Sequence, residues 1–129
     1  MRRVAGLAAV VILVGCNGGP VDRHALTNDA ATVDSLNCEG WLLAREVARG
    51  RVTGTFTTEQ SKALGLQASN LADALAHRST SKALEPRVRA KGRDAGRAAA
   101  RFRALAAHPS DRARGAQLAD RFKQAGNCS

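Results

Sequence analysis

The chain has 129 residues, 44% of them hydrophobic, with 20 Lys+Arg against 11 Asp+Glu and three Cys. That length carries one small domain and excludes a two-domain enzyme with a separate cofactor domain. The formal charge of +9 points to anionic partners, and the apolar run Val4 to Gly15, 12 residues long, falls short of the roughly 20 that a membrane-spanning helix needs.

Met1, Arg2 and Arg3 give the N-terminus a positive end, and the residues from Val4 to Gly15 are all Val, Ala, Gly, Leu or Ile. That is the layout of a secretory signal peptide. The run ends in Leu13-Val14-Gly15-Cys16, which resembles the lipobox of bacterial lipoprotein precursors. The resemblance covers residues 1–16 and implies nothing about the fold of the rest. It implies that residues 1–15 are a cleaved signal peptide, that the Cys16 thiol receives a diacylglyceryl group, and that the mature chain begins there. Acyl chains on Cys16 would anchor an exported protein stably with no spanning helix, on the outer face of the cytoplasmic membrane or at an outer membrane. Gram-negative members of that family that stay at the inner membrane commonly carry Asp after the Cys. Asn17 stands there in this chain and favours the outer membrane.

Residues 16–28, with Gly18-Gly19-Pro20, read as a flexible tether, and residues 29–129 as a helical domain. From about Asp29 to Arg49, Val33, Leu36, Gly40, Leu43 and Val47 recur at three and four, which is one face of a helix that Gly40 could interrupt. Thr57-Thr58-Glu59-Gln60 fits a capping box and predicts a second helix to about His77, with Leu64, Ala68, Leu71 and Leu75 inward. Pro86 suits the first turn of a third helix, whose inward face is Val88, Ala95, Ala98, Phe102 and Leu105. Pro109 closes it, Ser110 caps a fourth helix, and Leu118 and Phe122 give that helix its core contact before Gly126 ends it. Short links between such segments predict an all-α fold, a small antiparallel three- or four-helix bundle. Only 19 Leu, Val and Phe follow Gly15, so the core is thin, rich in Ala and in need of a staple.

The cysteines supply one. If Cys16 carries lipid, Cys38 and Cys128 remain as a natural pair in an oxidising compartment. Their bridge would close a loop of about 91 residues, worth roughly 4–5 kcal/mol in the chain-entropy model.

The charge is lopsided. Cys16 to His77 carries five Lys+Arg against seven Asp+Glu, and Arg78 to Ser129 carries thirteen against four. Arg89, Arg93, Arg97 and Arg101 recur every four residues and would form a stripe on the third helix, opposite its apolar face. Guanidinium forks match phosphate oxygens in pairs. The stripe is therefore a candidate anion-binding surface for phospholipid head groups, teichoic acid, lipopolysaccharide phosphates or extracellular DNA, against the plainer reading of a solvated face in an Arg-rich chain. Nucleic acid is disfavoured, because no aromatic is interleaved with these residues except Phe102, which the spacing assigns to the core.

Nothing in the chain specifies a reaction. His24, His77 and His108 are far apart in sequence, with no pair spaced to share a metal, so no metal or cofactor is expected. His77 and His108 fall near helix ends, where they can meet terminal carbonyls. The serines lack a G-x-S-x-G or S-x-x-K context, and Gly92 and Gly96 form a G-x-x-x-G that in a soluble helix permits close contact or weakens the helix. The expected function is non-catalytic: a lipid-anchored envelope protein with a binding or accessory role, contacting an anionic polymer or a protein partner through its basic C-terminal helices. A helical carrier or sensor holding a small molecule in the bundle core near Trp41 and Phe56 is the alternative, and salt separates the two, since only the first weakens steeply as charge is screened. A third reading is a largely disordered chain that folds on a partner.

Overall fold

The structure, a computed structural model, describes residues 19–129. The signal peptide 1–15 and the lipidation position Cys16 lie outside the described residues. Four helices follow in chain order: α1 (Arg23–Arg49), α2 (Gly54–His77), α3 (Glu85–Ala107) and α4 (Arg112–Gly126). They form the all-α, disulfide-linked bundle that the periodicity predicts. No helix among the described residues is long and apolar enough to cross a membrane.

The local starts and stops have identifiable causes. The Asp22 carboxylate accepts the Ala25 N–H at 2.8 Å and caps α1, which ends at Gly50 in the left-handed region (φ 66°). A residue with a Cβ is strained at that φ. α2 begins a turn before the expected capping box: Thr53 is its cap and accepts the Phe56 N–H at 3.2 Å. Thr57, the expected cap, is buried one turn inside the helix, its hydroxyl donating to the Thr53 carbonyl at 3.0 Å. α4 is capped by Asp111, one residue after the expected Ser110, through the Arg114 N–H at 2.9 Å.

The expected tether over 16–28 also needs correction within the described residues, because α1 starts at Arg23 and not near Asp29. The chain ahead of it is pinned as well. The Val21 N–H donates to the Ser79 carbonyl at 2.8 Å, the Thr80 hydroxyl to the Val21 carbonyl at 3.0 Å, and Arg78 Nε to the Gly19 carbonyl at 2.8 Å. Arg78 also pairs with Asp29 at 3.8 Å. Val21 is buried with Leu26, Leu75 and Val88 in a small cluster at this end of the bundle, and burying that apolar surface is what holds the segment down.

α2 packs chiefly on α3, and α1 on α4. Both pairs are antiparallel. Gly65 meets Phe102 while Gly92 meets Leu75, and Gly40 meets Phe122 while Gly115 meets Val47. The main core gathers Leu36, Leu43, Val47, Leu64, Ala98, Phe102, Leu105, Leu118 and Phe122, with the Phe102 and Phe122 ring centroids 4.7 Å apart. Gly40, which could have broken α1, lies inside it and leaves room for Phe122. The Cys38–Cys128 disulfide, with Cα atoms 5.5 Å apart, ties the chain end after α4 to the middle of α1.

Candidate functional site

Unequal helix lengths open a recess on the surface. α1 has 27 residues and α4 has 15, which at 1.5 Å per residue is about 40 Å against about 22 Å. α4 runs back along α1 from Val47 and stops beside Asn37, where Gly126 is wedged between the Asn37 side chain and the disulfide sulfurs. Beyond that stop, the first half of α1 has no α4 beside it. A cleft of about 360 Å³ opens there, lined by Val33, Asp34 and Asn37 of α1, Asp94, Arg97 and Arg101 of α3, and Arg121, Gln124 and Ala125 of α4.

Its wall is set by a buried amide. Asn37 is 1% exposed; its Nδ2 donates to the Val33 carbonyl at 3.0 Å, and its Oδ1 accepts from Arg101 Nη1 at 3.3 Å. Arg101 is thereby held across from α3 to α1. Burial of this guanidinium, followed by the charges of Arg97 and Arg121, pushes its pKa below the ordinary arginine value, while Asp94 acts in the opposite direction. An arginine does not deprotonate in proteins, so Arg101 stays charged beside Arg97 and Arg121. Asp94 is already engaged, hydrogen-bonded to Arg97 and 3.6 Å from Lys91 Nζ. Among the described residues, Arg101 and Arg121 have no carboxylate within ion-pair distance, and Asp34 has no cation within it.

The four arginines of the stripe differ in their surroundings. Arg89 turns to the end of α2, where Nη1 donates to the Leu75 and Ala76 carbonyls at 2.6 and 2.8 Å, closing carbonyls that α2 leaves unpaired. Arg93 is exposed and does not line the cleft. Arg97 and Arg101 do line it, joined by Arg121. Arg121, Asn37 and Asp34 are missing from the stripe reading, because a helical period sees one helix at a time. One signal did point to them: pairing Cys38 with Cys128 brings the end of α4 beside residues 37 and 38.

The residues of the alternative reading do not converge. Trp41 lies beneath two cations, with Arg45 Cζ and Lys123 Nζ at 5.0 and 5.2 Å from its ring. Phe56 is half exposed and lines an open groove of about 270 Å³ between α1 and α2 with Leu42, Val52 and Leu64, which Trp41 does not line. The histidines stay apart too. His24 contacts Asn28 on α1, His77 Nδ1 meets the Asp73 carbonyl at 2.8 Å near the end of α2, and His108 caps α3 through its backbone. Among the described residues, no three of His, Cys, Asp and Glu gather as a metal-binding group. No aromatic side chain lines the arginine cleft, so it offers no platform for base stacking. No family model, curated protein or solved structure matches this chain.

Proposed function

We propose that this chain is a bacterial cell-envelope lipoprotein with a non-catalytic binding or accessory role. It is exported, anchored by acyl chains on Cys16 to the outer face of the cytoplasmic membrane or to an outer membrane, and contacts anionic envelope components through the basic surface of α3 and α4.

The observation that carries the reading is the use of the cysteines. The chain has three, and Cys38 and Cys128 are consumed by their disulfide, a bond that belongs to oxidising compartments outside the cytoplasm. The one left over is Cys16, at the end of the apolar run. The start of the folded body supports the same reading. Val21 is already pinned to Ser79, and five residues of chain reach at most about 18 Å, so an acyl group on Cys16 would hold the bundle close to the membrane surface. The charge of thirteen Lys+Arg against four Asp+Glu from Arg78 onward supports anionic partners.

The test is the intact mass of the protein extracted from membranes, before and after reduction, beside a Cys16→Ala variant. The expected result is a chain that begins at Cys16 and carries acyl chains, gains two hydrogens on reduction, and does not accumulate in that form when Cys16 is replaced. An unacylated mass, with processing that Cys16→Ala leaves unchanged, would overturn the anchor.

A further inference from the structure

We propose that the cleft between α1, α3 and α4 binds a phosphate ester that carries an ammonium group a few bonds from the phosphate, with Arg101 and Arg121 holding the phosphate and Asp34 the ammonium. This deepens the anion-binding part of the function proposed above and does not depend on the lipid anchor.

The charges within the cleft decide the chemistry. Of its three arginines and two aspartates, Arg97 and Asp94 are bonded to each other. What remains is a pair of guanidinium groups, Arg101 and Arg121, and a separate carboxylate, Asp34. A phosphate monoester carries about −1.5 to −2 charge near neutral pH, which two guanidinium forks match in both charge and geometry. A simple phosphate would leave Asp34 as a repelling neighbour. An ammonium on the same ligand turns that repulsion into an ion pair, so the site selects for a zwitterion over a plain anion.

The site is preorganised at one of its three groups. Arg101 is held by the buried Asn37, and the neighbouring residue Cys38 is locked by the disulfide, so this guanidinium costs less to order at binding, whereas Arg121 and Asp34 are exposed and are ordered by the ligand. A volume of about 360 Å³ lies within the lower part of the range for small-molecule sites and admits a phosphate with a short substituent. The same pairing of phosphate and ammonium is found in a soluble phosphorylated amino alcohol, a monoester with the full charge, and, as a diester with one negative charge, in a phosphoethanolamine lipid headgroup.

The full chain, held in dodecyl maltoside micelles, which carry neither phosphate nor ammonium, and labelled with ¹⁵N, is titrated at pH 8 with O-phosphoethanolamine and with glycerol 3-phosphate while the arginine Nε–H and backbone amide signals are followed. Saturable shifts confined to residues 33–37, 97–101 and 121–125 are expected, with O-phosphoethanolamine the tighter ligand by roughly two- to fivefold, the size of an exposed ion pair. Arg121→Gln weakens binding by about tenfold or more, and Arg101→Lys, which keeps the charge and loses the fork, also weakens it. Arg93→Gln, outside the cleft, changes it by less than about twofold, and Asp34→Asn abolishes the preference for the ammonium ligand. Adding phosphatidylethanolamine to the micelles separates the sources: the same shifts without soluble ligand identify the headgroup, and shifts with the soluble ligand alone identify a free metabolite.

Equal affinity for the two probes, unchanged in Asp34→Asn, overturns the zwitterion assignment. Equal weakening by Arg93→Gln and Arg121→Gln overturns the cleft while leaving a diffuse basic surface in place. Shifts that fail to saturate with either probe overturn the site, and none of these results bears on the mass measurement that tests the anchor.

Discussion

Phe122 sits against Gly40 on one side and Phe102 on the other, with no exposed surface of its own. A Cβ built at Gly40 would lie 2.5–2.7 Å from three atoms of that ring, inside contact distance of a side chain that the core holds fixed. Overpacking of this kind costs about 1–3 kcal/mol, against the roughly 1 kcal/mol gained when Ala replaces a helical Gly. With three ring atoms involved the clash is the larger effect. Gly96 has nothing within 4 Å of such a Cβ, so only the helix gain applies there. Urea unfolding should therefore show Gly40→Ala less stable by about 1–2 kcal/mol and Gly96→Ala more stable by about 0.5–1 kcal/mol. Destabilisation by both would mean that Gly96 is needed for a contact absent here. The sequence does not separate these glycines: the cost of Gly in a helix is local, whereas the reason for Gly40 is a ring that arrives from α4.

At the scale of the element, the helical faces were legible and the helix starts were less so. Val33, Leu36, Gly40, Leu43 and Val47 are all buried, as are Val88, Ala95, Ala98, Phe102 and Leu105, because burial on one side of a helix forces the period directly onto the chain. Leu71 is the exception on α2, only partly buried in the small cluster beside Val21. The start of α2 has two threonines a turn apart that can each accept an N3 amide, and Gln60 made the later one look complete. Thr53 takes the role, and the extra turn places Phe56 in the groove beside Leu42. Thr53→Ala should cost about 1 kcal/mol in urea unfolding, the usual loss for an N-cap, and should speed hydrogen exchange at the Phe56 amide. If exchange at Phe56 is unchanged, Thr53 is not the cap. The arginine period was legible in the same way, but its use was not. Whether an arginine caps α2, as Arg89 does, or faces the cleft, as Arg101 does, depends on neighbours from other helices.

Across the whole molecule, the two helix pairs are held by different means. α2 and α3 are neighbours in the chain and dock through a short link, so their pairing closes only a small loop. α1 and α4 stand at the two ends of the folded body, and their pairing must close nearly all of it before any contact forms. Loop closure is costly in entropy, and the Cys38–Cys128 bond, with a sequence separation of 90, removes that cost by confining the unfolded chain. The chain-entropy model gives roughly 4–5 kcal/mol for such a loop, a large share of the 5–15 kcal/mol total typical of a domain. The double substitution Cys38→Ala/Cys128→Ala should therefore lower the unfolding free energy by about 4 kcal/mol. The loss should not be uniform: α4, which leans on the bridge at Gly126 and on α1 through Gly115, loses hydrogen-exchange protection first, and α2 and α3 last. Arg121 would then be free to leave Arg101, so O-phosphoethanolamine affinity should fall along with the protection of α4. A loss below about 1 kcal/mol, with α4 as protected as before, would show that α1 and α4 find each other without the bond. The core contacts of Phe122 and Leu118 would then be sufficient to close the bundle.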